Sequence, residues 1–289
     1  MTFAPTASSP LVITLAPTGM VPRRRDHAAV PEQPDEIAAD VADAVAAGAS
    51  CVHLHARDTH GDPTYTLERY RETVRAVRRV APDVVISVST SGRVHTRFEE
   101  RSEVLDLDGD LKPDLASLTL GSMNFPTQAS VNEPHTIQRL ADAMRERGIV
   151  PELEIFDFGM IDYAHYLIGR RVLAPPFVCN LLLGSLGTAS ATALNLALMV
   201  ERLPAGTCWQ AAGIGRFQWP MTSLGVAMGG HVRTGLEDNL YLDAGKRQPA
   251  TNAALVRRLA TLASACGRAL ASADEARQLM GLPVGARVR

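Results

Sequence analysis

The stretch "CVHLHARD", residues 51–58, sets His53 and His55 two apart inside an apolar run with the length and composition of a buried strand. Side chains alternate along a strand, so both imidazoles leave one face while Val52 and Leu54 leave the other. Neighbouring imidazoles in an apolar surround repel when protonated and need partners when neutral. A metal ion supplies such a partner, and so do plain hydrogen bonds to neighbouring groups; the pair by itself leaves both readings open.

Working outward from this strand, the same plan of short strand and amphipathic helix recurs, without any fixed-period repeat. Strands are predicted at 11–16, 50–55, 84–89, 114–119, 150–156, 177–183, 207–212 and 230–234. Helical spacing links Ile37, Val41 and Val45; Leu67, Tyr70, Val74 and Val77; and Ile137, Leu140 and Met144. Later helices are predicted at 194–199, after Pro220, and at 253–266. "SADE" then offers a capping box from Ser272 to Glu275. Eight such units predict a (β/α)8 TIM barrel, a single domain over 1–289 with a short helical extension from about 270. A doubly wound sheet is the alternative, but no GxGxxG follows the first strand.

Lys plus Arg total 29 against 31 Asp plus Glu, and the basic residues are dispersed, so a nucleic-acid partner is not expected. No apolar run has the roughly 18 residues of a membrane span, and "MTFAPTASSP" lacks the plan of a signal peptide. Cys51, Cys179, Cys208 and Cys266 are far apart with no CxxC. The expectation is a cytoplasmic protein with reduced thiols and no membrane partner.

A barrel gathers the C-terminal ends of its strands at one mouth, where active sites of this fold sit. In "GGHVRTGLEDN", residues 229–239, Glu237 falls just past the last strand. Strands 2 and 8 both flank strand 1, so His53, His55 and Glu237 can meet as a two-histidine, one-carboxylate set with open positions. The donor types favour zinc. His231 begins its strand and belongs nearer the closed end. Other rim candidates are Ser89, Thr90, Ser91 and Gly92, then Ser117 and Thr119, then Glu152 and Glu154. "PELEIF" puts both of these glutamates on one face; Glu154, nearer the rim, is assigned to chemistry, with an ion pair to Arg57 or Arg233 as the structural alternative. "LLLGSLGTAS" and "AAGIGR" carry glycines that let backbone amides approach an anion or simply turn the chain.

These residues resemble the β-keto acid cleavage enzymes, from "ITLAPTGMVPRRRDH" through "HLHARD", "SVSTSG", "DLASLTLGSMNF", "VPELEIFDFGM" and "AAGIGRFQWP" to "GGHVRTGLEDN". The resemblance implies a zinc-dependent, tetrameric (β/α)8 barrel that converts a β-keto acid and acetyl-CoA into acetoacetate and a new acyl-CoA. It implies His53, His55 and Glu237 as metal ligands and Glu154, Asp238 and Arg233 as the catalytic group. Ser89, Ser117 and Thr119 are read as substrate-binding positions; the family prototype has threonine at the place of Ser117. Asp238 is assigned the base that removes a C2 proton, Arg233 the charge that steadies the developing oxyanion, and Gly184, Gly187 and Arg216 the neighbourhood of coenzyme A. Where the prototype pairs a glutamate with its substrate's ammonium group, this chain has Val21. An uncharged or apolar tail is therefore expected, with Arg23, Arg24 and Arg25 as possible hosts of a second carboxylate.

Three rivals remain: an amidohydrolase, which would want more histidines on the middle strands; a class II aldolase; and a non-catalytic barrel stapled by a metal or binding a small acid.

Overall fold

Eight parallel strands close into one barrel in the computed structural model, which describes residues 9–284. They are β1 (Ile13–Leu15), β2 (Cys51–Leu54), β3 (Val85–Val88), β4 (Leu115–Thr119), β5 (Val150–Ile155), β6 (Val178–Leu183), β7 (Cys208–Gly213) and β8 (His231–Thr234). They pair in chain order, and β1 joins both β2 and β8, which closes the ring. Each predicted strand is present, most of them a residue or two shorter. Residues 1–8 and 285–289, which hold most of the stretch read for a signal peptide and both ends of the expected 1–289 domain, lie outside the described residues. No helix among the described residues is long and apolar enough to cross a membrane.

The helices alternate with the strands: α1 (Pro34–Ala46), α2 (Leu67–Val80), α3 (Phe98–Ser102), α4 (Pro134–Glu146), α5 (Phe158–Gly169), α6 (Ala193–Arg202), α7 (Gln218–Ala227) and α8 (Asn252–Ala265). In α2 the predicted positions Tyr70, Val74 and Val77 are buried, with Thr73 and Ala76 beside them, while Leu67 at the first turn is half-buried. Pro220 stands inside the first turn of α7 instead of before it, where its missing N–H costs no helical bond. Sequence reading gave no signal for α5: its apolar and aromatic residues run all around it, and Tyr166 is left exposed. What starts α5 is Asp157, whose side chain accepts from the Met160 N–H at 3.2 Å. Two small hairpins, Ala56–Arg57 with Pro63–Thr64 and Met123–Asn124 with Ala129–Ser130, extend the mouth and were not anticipated either.

Strand alternation divides the apolar residues into two sets. Outward-facing Ile13, Leu15, Val52, Leu54, Leu181 and Val232 pack under the helices, each contributing about 1.5–3 kcal/mol on burial. At the N-terminal end, Val12, Cys51, Val85, Leu115 and Val178 form an apolar floor. The predicted extension, α9 (Ala273–Met280), closes that floor with Ala276 and Met280. Its capping box from Ser272 to Glu275 forms as predicted. Above the floor the interior turns polar: Ser87, His53, Glu152 and Gln210 are linked, and Thr119, Glu154 and Arg233 stand nearer the mouth.

His231 lies at the closed end, as expected, where its Nδ1 accepts from the Val12 N–H at 3.1 Å. Burial, aided by the nearby Arg268 charge, pushes its pKa down to about 4 from 6.5. Between those values the unfolded chain takes up a proton that the folded chain refuses, so stability falls as pH drops through this window. His231→Asn keeps an acceptor for Val12. At about pH 4.5 it is expected to remove roughly 2–3 kcal/mol of the acid-induced loss, read by urea unfolding against neutral pH. An equal loss in both proteins would refute this assignment.

Candidate active site

A cavity of about 540 Å³ opens at the C-terminal mouth of the barrel, and His55, Glu154, Arg233, Glu237 and Asp238 line it. His53 ends one position inside β2 and His55 just beyond it, both nearly fully buried. Their Nε2 atoms face each other at 3.2 Å, and His55 Nε2 is 3.4 Å from Glu237 Oε1. Donor atoms of all three residues lie within 4.8 Å of one another. Tetrahedral bonds of about 2.0–2.1 Å set donors about 3.3 Å apart, so the three residues hold the spacing of a ligand set. His55 Nδ1 and Glu237 Oε2 are buried with no hydrogen-bond partner among the described residues.

The backbone explains how Glu237 reaches its place. Gly235 adopts φ +151 with its Cα against Ala16, where a Cβ would fall 2.0 Å from the Ala16 carbonyl oxygen. The Glu237 N–H then donates to that oxygen at 3.2 Å. Gly19, at φ +64, leaves room for the Glu237 side chain, which an added Cβ would meet at 2.4 Å. Arg57 fastens the loop after β1 from below: its guanidinium donates to the carbonyls of Gly61, Gly19 and Pro22 at 2.7–2.9 Å. Arg57 is thus a loop anchor and not the partner of Glu154.

Arg233, 1% exposed, is the electrostatic centre. It donates to Asp238 from Nε (3.0 Å) and Nη2 (3.1 Å) and to Glu237 from Nη2 (2.7 Å), while Nη1 lies 3.5 Å from Glu154. Burial opposes its charge, but Asp238, Glu237 and Glu154 outweigh that and raise its pKa well above the usual value. Burial likewise works against the Glu237 carboxylate, yet Arg233 and the two imidazoles hold its pKa well below the usual range. Asp238 differs: burial pushes its pKa up, Glu237 adds to this, and Arg233 only partly offsets it. One guanidinium against three carboxylates leaves two negative charges in excess, which a divalent cation would balance.

Glu152 and Thr119 were named from the sequence as rim candidates, but not their partners. Glu152, fully buried, accepts from Ser87 Oγ at 2.5 Å and lies 3.4 Å from His53 Nδ1, which orients that imidazole. The signal was present in "PELEIF", where Glu152 shares a face with Glu154. Thr119 and Glu154 are register partners, and the Thr119 hydroxyl donates to Glu154 at 2.7 Å.

The remaining candidates separate. Ser89, Thr119, Gly184 and Val21 line the cavity. The Ser117 hydroxyl instead accepts from the Thr90 N–H at 3.1 Å, beneath the cavity wall. Gly187 follows the lining residues Ser185 and Leu186 without joining them, and Arg216 lies over the Phe217 ring beside a separate depression with Trp219 and Tyr241. Arg23 pairs with Asp62 and Glu32, Arg24 pairs with Glu36, and Arg25 is exposed; none of the three lines the cavity. Arg93, not singled out from the sequence, does.

Glu152→Gln keeps the bond from Ser87 but removes the charge behind His53. It is expected to weaken binding of a divalent transition metal about 10- to 100-fold in chelator competition, with the fold retained. Unchanged affinity would show that Glu152 does not serve the metal set.

The β-keto acid cleavage enzyme family matches residues 10–282 of this chain. A protein of Fusobacterium nucleatum named 3-keto-5-aminohexanoate cleavage enzyme is 40% identical over 273 residues, 94% of this chain and 98% of that one. A protein of Cupriavidus necator named 3-oxoadipate:acetyl-CoA acetyltransferase is 37% identical, covering 96% of each. In three dimensions the apo structure of ObcA superposes with a TM-score of 0.79 at 22% identity, over 89% of this chain and 66% of that one, a likeness of fold. With this match spanning nearly the whole described barrel, the chain belongs to the β-keto acid cleavage enzymes.

Proposed function

We propose that this enzyme exchanges acyl groups between a β-keto acid and acetyl-CoA, releasing acetoacetate and a new acyl-CoA, with zinc held by His53, His55 and Glu237. The relative named as an acetyl-CoA acetyltransferase supports the co-substrate. The observation that carries the reading is Asp238: a buried carboxylate with a raised pKa, fixed by Arg233 beside the ligand set in one cavity. Zinc, when bound, would act as a Lewis acid on the keto and carboxylate oxygens of the acid.

The chain's own residues then divide the work. Asp238 takes a proton from C2 of the β-keto acid. The carbanion attacks the acetyl thioester carbon, and coenzyme A leaves as thiolate. That thiolate attacks the original keto carbon, the C2–C3 bond breaks, and Asp238 returns its proton to C2 of the departing acetoacetate. Arg233 holds Asp238 in place, and its Nη1, buried without a hydrogen-bond acceptor, is the donor available to a developing oxyanion. Ser89 and Thr119 contact the acid in this scheme, Glu154 steadies Arg233, and Ser117 acts through the Thr90 backbone. Gly184, with Gly187 and Arg216 farther out, is the side on which coenzyme A would approach. Where the acid's tail passes Val21 it is uncharged or apolar. A homotetramer working in the cytoplasm completes the proposal.

Interior positions of β5, β6 and β7 carry Glu152, Glu154, Asn180 and Gln210 and no histidine, which disfavours the amidohydrolase alternative.

The zinc-loaded protein, given acetyl-CoA and β-keto acids with varied tails, is expected to yield acetoacetate and the matching acyl-CoA by mass spectrometry. Glu237→Ala should abolish this, and Asp238→Asn should slow turnover about 10²–10⁴-fold. Val21→Glu should shift preference toward an ammonium-bearing tail. Zinc-loaded protein that transfers no acyl group from any tail would refute the reaction.

A further inference from the structure

Arg93 lies on the loop after β3, at the wall of the same cavity as Val21 and Glu237. Its backbone is fixed on both sides: the N–H donates to Ser91 Oγ at 3.3 Å, and the carbonyl accepts from Gln128 Nε2 at 3.0 Å. The guanidinium carbon sits 3.9 Å from the centre of the Phe125 ring, on the loop of the hairpin after β4. Such stacking holds a planar cation in one orientation while leaving its edge free to donate.

Among the described residues the edge has no hydrogen-bond acceptor. Among the described residues Arg93 forms no ion pair, and its Nε is buried without a hydrogen bond. Three other buried guanidiniums each donate to protein acceptors, Arg57 to backbone carbonyls, Arg101 to Thr90 and Asn132, and Arg233 to its carboxylates, although Arg57 Nε and Arg233 Nη1 stay without one. Burial lowers the Arg93 pKa, and only the more distant Glu237 charge opposes this. A charged group half withdrawn from water with unused donors facing a cavity is a site prepared for an anion.

We propose that Arg93 is a specificity residue that binds a carboxylate at the far end of the β-keto acid's tail. The substrate class is then a β-keto dicarboxylic acid: one end is held with its keto group at the His53, His55 and Glu237 set, an uncharged stem passes Val21, and the second carboxylate meets Arg93. This rests on the reading of the cavity as a β-keto acid site. Coenzyme A is the other source of anions, but its phosphates lie a full pantetheine arm from the reacting carbon. Arg93 lines the same cavity as His55 and Glu237.

The test measures binding without turnover. Two β-keto acids of equal chain length, one ending in a carboxylate and one in a methyl group, are titrated calorimetrically into zinc-loaded wild type, Arg93→Met and Arg93→Lys, with no acetyl-CoA. Wild type is expected to bind the diacid roughly 10- to 100-fold more tightly than its methyl-ended partner. Arg93→Met should lose that preference while binding the methyl-ended acid within about threefold of wild type, and Arg93→Lys should keep part of the preference. No preference in wild type, or a preference surviving in Arg93→Met, overturns the proposal. So does a separate titration with acetyl-CoA alone in which Arg93→Met weakens only that binding, which would assign Arg93 to the coenzyme. Adding acetyl-CoA separates the two readings. A preference that depends on Arg93 with no acetoacetate formed sinks the reaction and keeps the anion site. Acetoacetate formed equally from both acids by all three proteins keeps the reaction and sinks the anion site.

Discussion

A buried guanidinium facing three carboxylates is the constraint around which this barrel is arranged. Arg233 comes from β8, Glu154 from β5, and Glu237 and Asp238 from the loop that follows β8. Withdrawing such charges from water costs several kcal/mol for each ion, so the arrangement holds only because each partner is hydrogen-bonded in a defined direction. Its imbalance matters as much as its strength. With more negative than positive charge in a closed space, the interior is incomplete as bare protein, and two imidazoles stand where a cation would complete it.

The surrounding fold serves this cluster by keeping the mouth rigid. Arg57 stitches the loop after β1 to the end of β2 through backbone carbonyls, a use of arginine in which geometry counts for more than charge. Glycines at 19 and 235 let two chain segments pass within contact distance of each other beside Glu237. Asn252 adds a further tie, accepting from the Leu236 N–H and donating to the Pro17 carbonyl. Asp238 is therefore held in a fixed direction by a loop whose ties reach outside it.

The barrel and the meeting of His53, His55 and Glu237 could be read from sequence because both follow from short spacings. Alternation in "CVHLHARD" puts His53 and His55 on one face, and the glycine after the last strand puts Glu237 at the rim. What could not be read is partnership across the barrel. Nothing local to Glu152 says that Ser87 and His53 are its neighbours, since they arrive from 65 and 99 positions away through strand pairing. Arg93 was hidden for the same reason: its stacking partner Phe125 belongs to another loop. Ser117 shows the reverse error, where a hydroxyl of suitable type near the rim is taken up by a backbone amide before it reaches the cavity. Helix α5 lacked a polar face to announce it, and only its N-cap was written in the chain.

The apolar floor has a temporal consequence. Leu11, just before β1, pairs with the segment at Ala269–Ala271, and the helix that seals the floor comes after it. On a ribosome these partners emerge about 260 residues apart, so Val12, Cys51, Val85 and Leu115 remain without their cover until that later segment is out. Contacts of such long sequence separation form slowly, because a large loop must close before they yield any stabilisation. The nascent barrel therefore spends its growth with an open, greasy end. Until α9 is in place, that end is the surface on which a partly made barrel would stick to other chains.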